Sequence, residues 1–112
     1  MANRSNFYKL EMLLLSILEE NDCYGYQLAK SIQDQSDGLI KLGDGTMYNI
    51  LYKLLDKGYI SSYDKIIGKK IRVYYHLKSE GKTYLDELIQ EFHEMVLVVE
   101  KIISHQKESC DI

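Results

Sequence analysis

Residues 44–77 read DGTMYNILYKLLDKGYISSYDKIIGKKIRVYYHL. Two periodicities meet in this stretch. Met47, Ile50, Leu51, Leu54 and Leu55 recur at helical spacing, so a helix with one apolar face is expected. Gly43-Asp44-Gly45-Thr46 is the turn before it, with Asp44 as the expected N-cap. Lys57-Gly58 closes it, a base in the last turn and a glycine just past the end. The period then drops to two. Tyr59–Ile67 and Lys70–Leu77, joined at Gly68-Lys69, read as a β-hairpin. In its second arm Ile71, Val73, Tyr75 and Leu77 fall on one face, expected to be half-buried. Lys70, Arg72, Tyr74 and His76 fall on the other, which gives the hairpin a basic outer face.

Upstream, Leu10, Leu13, Leu14, Ile17 and Leu18 mark one side of a first helix, with Lys9, Glu11, Glu19 and Glu20 mostly off it. Asn21-Asp22 ends that helix and can cap a second, expected from about Tyr24 to Gln35. Tyr26, Leu28, Ala29 and Ile32 are its less polar positions, and Ser36-Asp37-Gly38 breaks the pattern. Leu39–Leu42 is short and apolar enough to predict a brief strand.

Downstream, Ser79 can cap a last helix over roughly residues 80–107. Leu85, Leu88, Phe92, Met95, Val99 and Ile102 alternate spacings of three and four, a heptad seam. Ile89, Val96 and Ile103 widen it. At 1.5 Å per residue such a helix is about 40 Å long, more than so small a body can cover. Part of its apolar face must therefore meet another chain or another helix pair, and a homodimer is the economical arrangement. The expected interface is Leu10, Leu14, Leu85, Leu88, Phe92, Met95, Val96, Val99, Ile102 and Ile103.

The order helix, helix, short strand, helix, hairpin, helix predicts a mainly α fold with a small β-hairpin (α+β). It is the order of a winged helix-turn-helix over residues 1–78, followed over 79–112 by a long dimerisation helix and polar tail. The two parts are expected to form one structural unit, since no linker, repeat or proline divides them.

The chain has 112 residues, 46% hydrophobic and 28% charged, which fits one ordinary globular domain. Met1-Ala2-Asn3-Arg4 does not open a signal peptide, and the longest apolar runs, Met12–Leu15 and Met95–Val99, cannot span a bilayer. A soluble, cytoplasmic protein without membrane contact is expected. Cys23 and Cys110 form no C-x-x-C pair, which in that compartment favours free thiols.

Net charge is −3, a value that by itself argues against a nucleic-acid partner. Its distribution argues the other way. Residues 41–82 hold nine basic and four acidic side chains, whereas both flanks are net acidic.

Enzymatic chemistry finds little support. His76, His93 and His105 have no serine or cysteine partner at a recognisable spacing, and neither G-x-G-x-x-G nor a phosphate-binding loop occurs. No cofactor or metal is expected, His93-Glu94 lacking the companion histidine of a helical zinc motif.

Three runs carry a resemblance: Tyr24-Gly25-Tyr26-Gln27-Leu28, Gly45-Thr46-Met47-Tyr48-Asn49-Ile50-Leu51, and Leu54-Leu55-Asp56-Lys57-Gly58-Tyr59-Ile60. Together with Arg72-Val73-Tyr74-Tyr75-His76-Leu77 and Ser79-Glu80-Gly81, they resemble the PadR family of bacterial regulators over about residues 10–92. The resemblance implies a homodimeric transcriptional repressor on a pseudo-palindromic operator, of the short subfamily with a single C-terminal helix. In some relatives a ligand between the long helices weakens DNA binding. Here Asn49 stands where proline or a small residue is frequent in the family. Tryptophan, which certain drug-binding relatives use to stack planar ligands, is absent.

If the helix after Gly43 enters the major groove, Thr46, Asn49, Tyr52 and Lys53 do the reading. Asn49 is the candidate base contact, because an amide can bridge adenine N6 and N7. Thr46 and Tyr48 suit a phosphate at the helix start, although Tyr48 reads equally well as a packed core tyrosine. Tyr26 completes the helical set. Lys65, Lys69, Lys70 and Arg72 would grip DNA as a wing, or else guard a solvated sheet edge; four cations within eight residues favour DNA. An effector pocket, if present, is expected at Leu14, Leu88, Phe92 and Val96. Two other readings stay open: a winged helix used for protein contact, and a metal or redox sensor employing His93, His105 or Cys110.

Overall fold

The computed structural model describes residues 8–110, the last four as helix backbone alone. The elements are α1 (Leu10–Glu20), β1 (Cys23–Tyr24), α2 (Gly25–Gln35), α3 (Asp44–Asp56), β2 (Ile60–Ile67), β3 (Lys70–Leu77) and α4 (Ser79–Cys110). The three strands form one antiparallel sheet in the order β1-β3-β2, and the whole is a winged-helix fold with a long C-terminal helix.

The core collects one face of every helix against the base of the sheet. Leu14, Leu15 and Leu18 of α1 meet Leu28 and Ile32 of α2 and Met47, Leu51 and Leu54 of α3. Ile60 and Tyr75 close it from the sheet, and Leu85 and Leu88 from α4. Each such side chain stabilises the fold by about 2 kcal/mol relative to an exposed one. Leu14 and Leu85 are fully buried within this single chain, which corrects their assignment to a dimer surface and, for Leu14, to an effector pocket.

α3 ends in a Schellman motif. Gly58 takes φ 76°, its N–H donates to Leu55 O, and Tyr59 N–H donates to Leu54 O, both at 3.0 Å. That turn aims the chain directly into β2. At the other end Gly43 is the N-cap and Asp44 the first helical residue, so the expected Asp44 cap gives way to a carboxylate in the first turn, favourable to the helix dipole.

Two further expectations are corrected. Leu39–Leu42 forms no strand; Ile40 N–H is held instead by Ser36 Oγ at 2.9 Å, and Leu39 is exposed. The third strand is Cys23–Tyr24, paired with Tyr75 and Tyr74, so α2 begins one residue later than expected, with Tyr24 as its N-cap. The inner face of β3 is also less buried than its alternation implies. Tyr75 is buried and Leu77 half-buried, yet Val73 is 43% and Ile71 68% exposed, because the hairpin outruns the core.

α4 is fastened to the body by its first turns. Tyr84 stacks on Tyr59 with ring centroids 4.4 Å apart, and its hydroxyl donates to Glu11 Oε1 at 2.6 Å. Burial and that bond push the Tyr84 phenol well above its ordinary range. Lys82 bridges Glu19 of α1 and Asp86. Gly81 lies under the Tyr59 carbonyl, where a Cβ would collide with the oxygen. Past Phe92 the helix leaves the body, and Met95, Leu97, Val98, Val99, Ile102 and Ile103 are exposed.

Candidate nucleic-acid interface

Burial of Met47, Leu51 and Leu54 turns the opposite face of α3 outward, and it carries Thr46, Asn49, Tyr52 and Lys53. Thr46, Asn49 and the adjacent pair Tyr52-Lys53 step along this exposed face at about one turn apart. Tyr26, in the first turn of α2, is also exposed. Tyr48 is not part of that strip. Its phenol fills the space that a side chain on Gly25 would need, and it is half-buried between α3 and the start of α2. The packing role offered for Tyr48 is therefore the one its surroundings support. Tyr48 and Tyr52 rings are 6.2 Å apart. Burial, then the proximity of those two phenols, raises the phenol of Tyr75.

The hairpin supplies the second surface. Lys65 faces Arg72 across the strands and Ile67 faces Lys70, with Lys69 in the turn after Gly68, whose φ is 63°. Among the described residues no carboxylate lies within 4.0 Å of these four cations in an ion pair. Two of them rest on aromatic rings: the Arg72 guanidinium 4.2 Å from the Tyr24 centroid, and Lys65 Nζ 5.0 Å from that of Tyr74. Tyr24, Tyr74 and Tyr63 are neighbours across β1, β3 and β2, with centroids 5.5 and 5.7 Å apart. The opposite side of the same hairpin exposes Ile66, Ile71 and Val73.

Sequence reasoning missed a cluster at the base of the wing. Asp22 Oδ2 accepts from Tyr63 Oη at 2.7 Å, and Asp22 Oδ1 lies 2.8 Å from His76 Nδ1. Desolvation by its neighbours pushes the Asp22 carboxyl upward, but the bonds from His76 and Tyr63, with the nearby charges of His76 and Lys65, hold it below the usual aspartate range. The hydrogen bond to Asp22 in turn raises the Tyr63 phenol. Alternation would have put all three residues on one face, but only once the two-residue strand β1 was known.

The other expected sites fare unevenly. Leu88 and Phe92 line a shallow cavity of about 120 Å³ with Tyr8, Lys9, Met12, Glu91 and Met95. It is smaller than the roughly 300 Å³ or more that a drug-sized ligand requires. Val96 lies outside its lining. Among the described residues no three His, Cys, Asp or Glu side chains gather as for a metal ion. Cys23 is a half-buried thiol raised by burial and by Asp22, and His93 and His105 are exposed on α4. The side chain of Cys110 lies outside the described residues. No helix of the described residues is long and apolar enough to cross a membrane.

A helix pair whose second member turns a polar strip outward, beside a cation-tipped hairpin, defines the winged helix-turn-helix class. Residues 14–87 match the transcriptional regulator PadR-like family, and the chain belongs to it. A transcriptional regulator from Clostridium thermocellum is similar at 31% identity, with TM-score 0.81 over 89% of this chain and 97% of that one. A PadR family transcription regulator from Clostridium difficile is 35% identical, with TM-score 0.73 over 84% of this chain and 97% of that one. Bacillus subtilis PadR, solved in complex with operator DNA, is 25% identical, with TM-score 0.65 over 71% of this chain and 47% of that one.

Proposed function

We propose that this chain is a homodimeric, sequence-specific DNA-binding repressor that acts in the cytoplasm. The observation that carries the reading is the pairing of two surfaces. An exposed polar strip on α3 lies in the same small domain as a hairpin whose four cations have no carboxylate partner among the described residues. Phosphates are the natural counterions for such cations, and each one neutralised releases about one ion to solvent. Likeness to Bacillus subtilis PadR, which was solved on its operator, supports the same assignment.

In this reading α3 enters the major groove with Asn49 as the base contact and Thr46, Tyr52 and Lys53 beside it. Tyr26 approaches the backbone from the start of α2. The wing cations Lys65, Lys69, Lys70 and Arg72 straddle the neighbouring phosphates. The dimer forms through the exposed stretch of α4, at Met95, Val99, Ile102 and Ile103, with Phe92 and Val96 at its inner end and Leu10 at its margin, while Leu88, buried in the core of its own chain, drops out of the expected interface. An effector that relieves repression would sit where two such helices meet, because the cavity in one chain is too small to hold it.

Fluorescence anisotropy on a duplex from just upstream of the chain's own gene, against a scrambled duplex at two salt concentrations, tests the reading. Tight binding that prefers the upstream duplex and weakens steeply with salt is the expected result. If no duplex is bound even at low salt while a protein partner is retained specifically, the chain is a protein-contact module instead.

A further inference from the structure

The wing has little to hold it in place. β2 is exposed from Ser62 to its tip, and β1 supports β3 only at Tyr74 and Tyr75. No core lies behind Ile66 and Ile71, both of which are exposed. A two-stranded ribbon of this kind is marginally stable by itself.

Asp22 sits one step beyond the Cys23–Tyr75 pair, so it shares the outer face of the sheet with His76, Tyr24, Tyr74 and Tyr63. From there its two oxygens reach both strands of the hairpin, His76 on β3 at 2.8 Å and Tyr63 on β2 at 2.7 Å. One carboxylate thus ties the end of the α1–β1 connection to each arm of the wing. The row Tyr24, Tyr74, Tyr63 lies alongside, with Arg72 and Lys65 resting on it. We infer that Asp22 is a positioning residue, a clasp that fixes the angle of the wing and so the place where its cations meet DNA. The second half of that statement rests on the DNA-binding reading above; the first does not. An acidic group so near a phosphate-binding surface would by charge alone weaken binding. The clasp accounts for its presence in mechanical terms.

The sign of the effect separates the two possibilities. Asp22→Asn and Asp22→Ala are measured first in the free protein by amide hydrogen exchange. With a charged hydrogen-bond acceptor removed, amides of the wing over 62–67 and 70–73 should exchange about tenfold faster. Amides of Leu15, Leu28 and Leu51 should keep their protection. Tyr63→Phe, which deletes one of the two ties, should produce part of the same change. Wing exchange that does not respond to Asp22→Asn overturns the inference, whatever DNA binding does.

In anisotropy, Asp22→Asn should bind the upstream duplex about three- to tenfold more weakly, although it removes a negative charge. In a chain already carrying Lys65→Ala, Lys69→Ala, Lys70→Ala and Arg72→Ala it should cost nothing further, since an ill-placed wing without cations has nothing to lose. Unchanged or tighter binding by Asp22→Asn, beside a loosened wing, overturns the functional half. Failure of the wild-type chain to bind any duplex would count against the DNA reading instead, and the exchange data would still decide the clasp.

Discussion

Asn49 stands exposed on α3 between Thr46 and Lys53. A side-chain amide at that position can read one adenine through two hydrogen bonds, worth about 1–3 kcal/mol of discrimination. Asn49→Ala should therefore flatten preference at one base position of each half-site and leave the other positions ranked as before. Competition between single-base operator variants measures this. Loss spread evenly over all positions would assign Asn49 to the backbone instead. Residue types at this scale were legible where exposure follows from helical period, as for Thr46, Asn49 and Lys53. Tyr48 was not, because its period allows both a core and a surface role, and Gly25, 23 positions earlier in the sequence, decides between them. The Asp22 cluster was equally hidden. Its bonds span 41 and 54 residues and depend on a register that no local pattern encodes.

The elements themselves were mostly readable, since α1, α3, α4 and the hairpin announce their period over eight residues or more. What failed was the assignment of short pieces. Cys23–Tyr24 is a strand only because the edge of β3 is there to receive it, whereas Leu39–Leu42 has the composition of a strand and no partner. Burial on β3 failed for a related reason: period two says which residues share a face, but the extent of the body behind that face is a tertiary matter. The hairpin also carries a prediction of its own. Lys69 and Lys70 stand at its tip and rest on no ring, unlike Lys65 and Arg72. Lys69→Ala with Lys70→Ala should weaken binding similarly for every sequence and lower the slope of log K against log salt by about two. Anisotropy titrations over a salt series read that slope directly, and an unchanged slope would remove the tip from the interface.

For the molecule as a whole, the dimensions are 69 × 29 × 24 Å with a radius of gyration of 17.4 Å. A compact domain of this length has a radius near 13 Å, about 4 Å less. The excess belongs to α4, whose 32 residues run about 48 Å and leave the body past Phe92. An apolar stretch of that kind in water calls for a partner surface. Val99→Asp with Ile102→Asp should leave the fold intact, because neither residue touches the core, while converting a dimer to monomer in sedimentation equilibrium. Affinity for a two-half-site duplex should fall together with it, by about tenfold or more, once the two DNA-binding halves are no longer linked. A variant that remains dimeric would place the contact elsewhere on the surface.

Gly81 has a bearing on how such a molecule changes over generations. The first turn of α4 is seated against the Tyr59 carbonyl, backbone on backbone, with no room for even a methyl group between them. The tilt of the long helix is therefore inherited through main-chain geometry, separately from the side chains that α3 presents. In a pair joined through α4, the distance between two reading heads works as a ruler that base-reading substitutions do not recalibrate. If the proposed repressor reading holds, descendants of this chain could drift in the letters their operators spell while the seating of α4 on the body stays the same. Within each chain, a change of that tilt would have to pass through the Gly81–Tyr59 crossing, where almost no replacement fits.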